Sequence, residues 1–126
     1  EQFRAALAEE DDYGSQLDVL RRFRHVETLK ICLRDLNREV GPFYVGKYLS
    51  MVAEAILEAG LDMAWDIVGG KAKRSEKDRR MVVMGMGKLG GRELSYNSDL
   101  DVIFIYDGKE EEHEFYSKLG QKVISI

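Results

Sequence analysis

Residues 81–107 read MVVMGMGKLGGRELSYNSDLDVIFIYD. Two short apolar runs frame the stretch: Val82, Val83 and Met84 end at Gly85, and Val102 to Tyr106 spell VIFIY. Runs this short, rich in β-branched and aromatic residues and bounded by Gly and Asp, read as buried strands rather than helices. The spacing predicts strands near 81–86 and 101–107. Between them stand Gly85, Gly87, Gly90 and Gly91, with Lys88 among them. Glycine lets backbone amides come close to a phosphate and adopts positive φ at no steric cost, and lysine adds a point charge for the same anion. Gly87, Lys88, Gly90 and Gly91 are therefore candidate nucleotide-phosphate contacts. The bland alternative is a tight strand-to-helix turn and nothing more.

The second strand opens with Ser98-Asp99-Leu100-Asp101. Side chains at i and i+2 of a strand share a face, so Asp99 and Asp101 project together and Leu100 turns the other way, into the core. Paired carboxylates repel unless something positive sits between them. A hard divalent cation answers that need, since Mg²⁺ binds through one or two carboxylates plus substrate phosphates. Asp99 and Asp101 are thus the candidate catalytic and metal-holding residues. Ser98 either binds a phosphate oxygen or orients Asp99 through a local hydrogen bond. Glu93 reads as structural, and His25 and His113 as isolated surface residues without metal-ligand spacing.

The string Gly85 to Asp101 resembles the nucleotidyltransferase signature of the polymerase-β-like superfamily, a glycine turn followed by an hDhDh strand. It is more closely similar to the bifunctional glutamine synthetase adenylyltransferase/adenylyl-removing enzymes, whose two catalytic domains each carry G-x-G-K-L-G-G-x-E-L-x-[YF]-x-S-D-[LI]-D. A D-x-D pair alone would be weak evidence; the joined string is specific. The resemblance implies transfer of AMP from Mg-ATP to a tyrosine of glutamine synthetase, or the reverse task, phosphorolysis of adenylyl-tyrosine to ADP. Tyr96 ahead of Ser98-Asp99-Leu100-Asp101, and the stretch YLSMVAEAILEAGLDMAW, look more like the adenylylating domain. The nitrogen-signalling PII protein would act through regions outside these residues. A small-molecule nucleotidyltransferase would share the D-x-D strand but not the long KLGGREL match. A degenerate binding module would be expected to lose one acid, and a purely helical interaction module would not carry the two strands.

Two-metal phosphoryl chemistry needs more than two carboxylates. Asp107 cannot be the third if the strand is regular, because six residues at ~3.3 Å each put it roughly 20 Å from Asp101. The resemblance places the third acid in a later V-D-x-R-L-R-P segment, absent from this sequence. Little or no turnover is therefore expected of these residues alone. The chain has no initiator Met and ends at Val123-Ile124-Ser125-Ile126 within an apolar pattern, as an excised piece of a longer polypeptide would.

Composition bounds the remaining possibilities. At 126 residues, 44% apolar and 33% charged, the chain is a single partial domain able to bury a core, not a disordered segment. Net charge of −4 gives no general basic field for nucleic acid. No run approaches a membrane span and the start has no signal-peptide character, so a cytoplasmic protein is expected, in keeping with the single Cys32.

Ahead of the glycine turn, residues 1–70 read as helical. Residues 1–10 suit a short helix. Ser15 reads as an N-cap with Asp18 as a weak capping-box partner. Val19, Leu20, Phe23, Val26, Leu29, Leu33 and Leu36 then form one apolar stripe. Its opposite side, Arg21, Arg22, Arg24, Lys30 and Arg34, is a solvated face or a phosphate- or partner-facing one. Gly41-Pro42 breaks this helix, and a second, largely buried helix runs from about Gly46 to Val68, with Met63 and Trp65 in the core and Gly69-Gly70 ending it. Residues 71–80, six cations and two anions, read as a solvated connector without base-stacking aromatics. A last helix begins at the acidic Glu110-Glu111-Glu112 and buries Phe115, Leu119, Val123 and Ile124 or Ile126. The expected fold is α+β, with a helical segment packed on the start of a nucleotidyltransferase-type mixed sheet.

Overall fold

A computed structural model describes residues 2–126. Three helices come first: α1 (Gln2–Ala8), α2 (Tyr13–Leu36) and α3 (Pro42–Lys71). Then follow strand β1 (Met81–Gly85), a single helical turn α4 (Gly87–Gly90), strand β2 (Val102–Tyr106) and α5 (His113–Ile124). The fold is α+β, with the helical part first and the strand pair and last helix after it.

Helix α3 is the spine. At 30 residues and ~1.5 Å rise it is about 45 Å long, and each core cluster draws on it. Near its start, Val45, Leu49 and Ala53 pack with Ile31 of α2, Leu89 of α4 and Leu94. In its middle, Ala59 and Met63 meet Leu20 of α2, with Phe3 and Leu7 of α1 against them. Toward its end, Ala64 and Trp65 join Met81 of β1 and Tyr116, Leu119 and Val123 of α5.

Pro42 stands at the first helical position, where its missing N–H costs nothing and its fixed φ suits the helix. The second helix thus begins four residues before the Gly46 start read from sequence. It also runs through Gly69-Gly70 and ends at Lys71, because the buried Trp65 face continues to Gly69 and holds the helix past those glycines. The N-cap of α2 is Asp12, whose side chain accepts from the Ser15 backbone N–H at 3.0 Å. Ser15 is the capped residue, not the cap.

The stripe expected on α2 holds only in its first half. Leu20 is buried and Phe23 half-buried against Phe3, but Val26, Leu29, Leu33 and Leu36 are exposed. The packed face runs instead through Leu20, Glu27, Ile31 and Asp35. Two acids can occupy it because each is satisfied there: Glu27 accepts from the Tyr48 hydroxyl and Lys30, and Asp35 from the Tyr96 hydroxyl.

β1 and β2 pair antiparallel, with Met81 opposite Tyr106 and Gly85 opposite Val102. Met81, Val83, Phe104 and Tyr106 face the helices, whereas Val82, Met84, Ile103 and Ile105 are 45–57% exposed. The strands are therefore buried on one face rather than both, because no described element covers the other. The connector 71–80 is tied down more than a solvated loop would be: Arg74 pairs with Glu112 and lies over the Phe115 ring, Arg79 pairs with Asp62, and a 3₁₀ turn spans Glu76–Asp78. The acids Glu110–Glu112 form a 3₁₀ turn ahead of α5. On α5 itself Tyr116 is buried while Ile124 is exposed, and Ile126 packs in its place. No described helix is long and apolar enough to cross a membrane.

Candidate active site

The glycine turn is built by close approach. Gly87 sits at φ +50, the left-handed region that costs an L-residue energy. A Cβ there would also stand 2.8 Å from Asp101 Oδ2. A Cβ at Gly90 would lie 2.6 Å from the Gly85 carbonyl oxygen, so the turn folds back on the end of β1. Leu89, buried among Ile31, Val45 and Leu49, anchors the turn to the helices and leaves Lys88 pointing out.

Asp101 lies one residue before β2. The Met86 N–H donates to the Asp101 carbonyl at 2.7 Å, which carries the ladder register on to a Met86–Asp101 pair. Directly opposed residues share a face, so Asp101 stands on the exposed side with Met86, Met84 and Ile103. Asp99 is exposed as well, and neither carboxylate takes part in a hydrogen bond or ion pair among the described residues. Both aspartates precede the strand rather than open it. Leu100, expected in the core, is 43% exposed, since the segment ahead of Val102 has left the helical layer.

Ser98 closes a turn of its own. Its Oγ accepts from the Ser95 N–H at 2.9 Å and lies 2.8 Å from Ser95 Oγ, and its own N–H donates to the Ser95 carbonyl. The local hydrogen bond foreseen for Ser98 is thus made to Ser95, not to Asp99. His25 and His113 are exposed; His113 Nδ1 lies 2.5 Å from the Tyr106 hydroxyl. Of the basic face of α2, Arg21 pairs with Asp18, Lys30 with Glu27 and Arg34 with Glu39, while Arg22 and Arg24 are exposed.

Two further ties reach the segment between turn and aspartates. Arg92 donates from Nε and Nη2 to the two oxygens of Glu54, at 3.0 and 3.1 Å. The Tyr96 hydroxyl donates to Asp35 at 3.0 Å, and burial together with that bond pushes Tyr96 up to about 12. Sequence reading passed over Asp35 and Glu54; the available signal was an acid on the packed period of α2, four residues after Ile31. Among the described residues no group of three His, Cys, Asp or Glu side chains is arranged to hold a metal. Asp99 and Asp101 are two exposed carboxylates, short of such a group by themselves.

A family model described as glutamate-ammonia ligase adenylyltransferase matches residues 1–126. Curated proteins named bifunctional glutamine synthetase adenylyltransferase/adenylyl-removing enzyme are similar along nearly the whole chain. The one from Pasteurella multocida is 36% identical over 131 residues, covering 92% of this chain and 13% of its own length. Those from Mannheimia haemolytica and Vibrio parahaemolyticus are 36% and 38% identical over 132 residues, each covering 93% of this chain and 14% of the relative. The chain thus spans about a seventh of the length of the curated relatives it matches. No solved structure matches it.

Proposed function

The chain belongs to the glutamate-ammonia ligase adenylyltransferase family, and from that premise we propose that it supplies the glycine turn and aspartate pair of a domain that transfers AMP from Mg-ATP to a tyrosine of glutamine synthetase. Residues 1–70 are the helical support, 71–80 the connector and 81–126 the catalytic part, in the cytoplasm. One observation carries the reading: a Cβ added at Gly87 would stand 2.8 Å from Asp101 Oδ2. That proximity supports taking a turn suited to phosphate and a carboxylate suited to a cation as one site.

In this reading Gly87, Lys88, Gly90 and Gly91 receive the triphosphate, with Lys88 offset against its charge and Ser98 stiffening the approach to Asp99. The tyrosine oxygen attacks the α-phosphorus, the P–O bond to pyrophosphate breaks, and the phenolic proton passes to solvent. Asp99 and Asp101 would hold Mg²⁺, for which two carboxylates and phosphate oxygens are a fitting hard set. The bound ion supplies charge neutralisation at the reacting phosphate. The third carboxylate comes from polypeptide outside these residues, as do contacts with a PII protein.

A second reading has a specific support, since the relatives' names carry both activities. The intact protein, given ATP labelled at the α-phosphate, Mg²⁺ and unmodified glutamine synthetase, is expected to label the synthetase and to lose that labelling on Asp101→Asn. Labelling that survives Asp101→Asn, with loss of ADP release from adenylylated synthetase and phosphate, would reverse the direction. An Asp101→Asn protein with both activities intact would reject the catalytic reading.

A further inference from the structure

The segment 92–98 joins the glycine turn to the aspartates and has no regular secondary structure. What holds it is the helical hairpin behind it. Leu94 is 6% exposed, set among Ile31, Val45, Leu49 and Ala53. The backbone at Glu93 runs so close to α3 that a Cβ on Gly46 would lie 3.2 Å from Glu93 Cα. On either side of this plug stands one side-chain tie: Arg92 to Glu54 of α3, and Tyr96 to Asp35 of α2.

These ties are poor candidates for a purely stabilising role. The side chains of Arg92 and Glu54 are 53% and 42% exposed, and exposed ion pairs contribute little to stability. A two-pronged guanidinium–carboxylate contact does, however, fix direction as well as distance. The two ties grip the segment at 92 and 96, and from Ser98 onward the chain leads directly into Asp99 and Asp101. We propose that Arg92–Glu54 and Tyr96–Asp35 are positioning pairs that aim Asp99 and Asp101 at the glycine turn, so that the helical hairpin sets the metal affinity of the site. This rests on the reading of the two aspartates as the metal-holding pair.

The test is the Mg²⁺ dependence of label transfer by the intact protein. Tyr96→Phe and Glu54→Gln each raise the Mg²⁺ concentration for half-maximal rate, by up to roughly tenfold, the low end of the about 10–100-fold cost of losing a direct partner of a metal ligand, because neither tie touches Asp99 or Asp101. The rate at saturating Mg²⁺ is largely regained and the thermal midpoint moves by no more than about 2 °C. Arg92→Lys, which keeps the charge and loses the fork, behaves like Glu54→Gln. Glu114→Gln, which breaks a still more exposed pair with Lys118 on α5, leaves the Mg²⁺ dependence unchanged. Loss of thermal stability with an unchanged Mg²⁺ dependence overturns the proposal. Asp101→Asn in the same assay separates the two levels: full activity there removes the reading of the site, whereas inactivity there with Mg²⁺ dependence unmoved in Tyr96→Phe and Glu54→Gln removes the positioning role alone.

Discussion

Replacing Gly87 by Ala separates the fold of the turn from its use. Two terms act on stability. An L-residue at φ +50 costs about 1–2 kcal/mol relative to a relaxed backbone. The new Cβ would also stand 2.8 Å from Asp101 Oδ2. That atom ends a short, exposed side chain, which can rotate into solvent, so relief of the clash adds little. The net loss is therefore about 1–2 kcal/mol, but it is reached by turning the Asp101 carboxylate away from the turn. Misplacement of a reacting group by ~1 Å costs up to ~100-fold in rate. Gly90→Ala makes the contrast, because its Cβ would meet the Gly85 carbonyl oxygen at 2.6 Å, and backbone cannot rotate aside. Overpacking of that kind costs about 1–3 kcal/mol without touching Asp101. Thermal unfolding and label transfer, measured on both variants of the intact protein, should show Gly87→Ala losing far more activity than its stability loss explains. A Gly87→Ala protein with normal transfer, or with activity falling only in step with stability, would mean that Gly87 does not place the Asp101 carboxylate.

Other outcomes follow from the packing. Leu119 is fully buried against Trp65 and Met81, so Leu119→Ala should cost about 2–5 kcal/mol and lower the thermal midpoint by on the order of 10 °C; a shift within error would mean that α5 does not close this core. The Glu27–Tyr48 contact makes stability depend on pH at both ends. Lys30 first and then Tyr48 hold Glu27 below its ordinary 4.5, so its contribution is complete above that value and is lost as pH falls through the lowered one. The hydrogen bond to Glu27 first, then burial, pushes Tyr48 from 10.0 up to about 12, so its contribution is complete below pH 10 and lost as pH rises toward 12. Unfolding followed across pH should show both limbs, each flattened in Glu27→Gln; unchanged limbs in that variant would remove the pair as their source.

The glycine turn was legible in the sequence because its constraints are local. Positive φ at Gly87 and the fold-back at Gly90 are demands on single residues, and glycine advertises them. The strands were legible as apolar runs, but not that one face stays open, since a continuous run such as Val102 to Tyr106 looks the same whether or not a covering layer exists. The packed face of α2 was misread because hydrophobicity alone chose Leu29, Leu33 and Leu36. What decides the face is that Tyr48 and Tyr96, remote in sequence, satisfy Glu27 and Asp35. The same non-local partners explain why the ties of Arg92 to Glu54 and of Tyr96 to Asp35 are not legible beside Asp99 and Asp101. Gly69-Gly70 looked like a helix end, yet tertiary packing of Trp65 overrides that local preference.

The most direct test of a joint phosphate and metal site is anomalous diffraction from Mn²⁺ in crystals of the intact protein with a non-hydrolysable ATP analogue. A Mn²⁺ peak bonded to the Asp99 and Asp101 carboxylates is expected, with the triphosphate lying along Gly87 to Gly91. Nucleotide bound elsewhere, or bound at the turn with no metal on either aspartate, would contradict it.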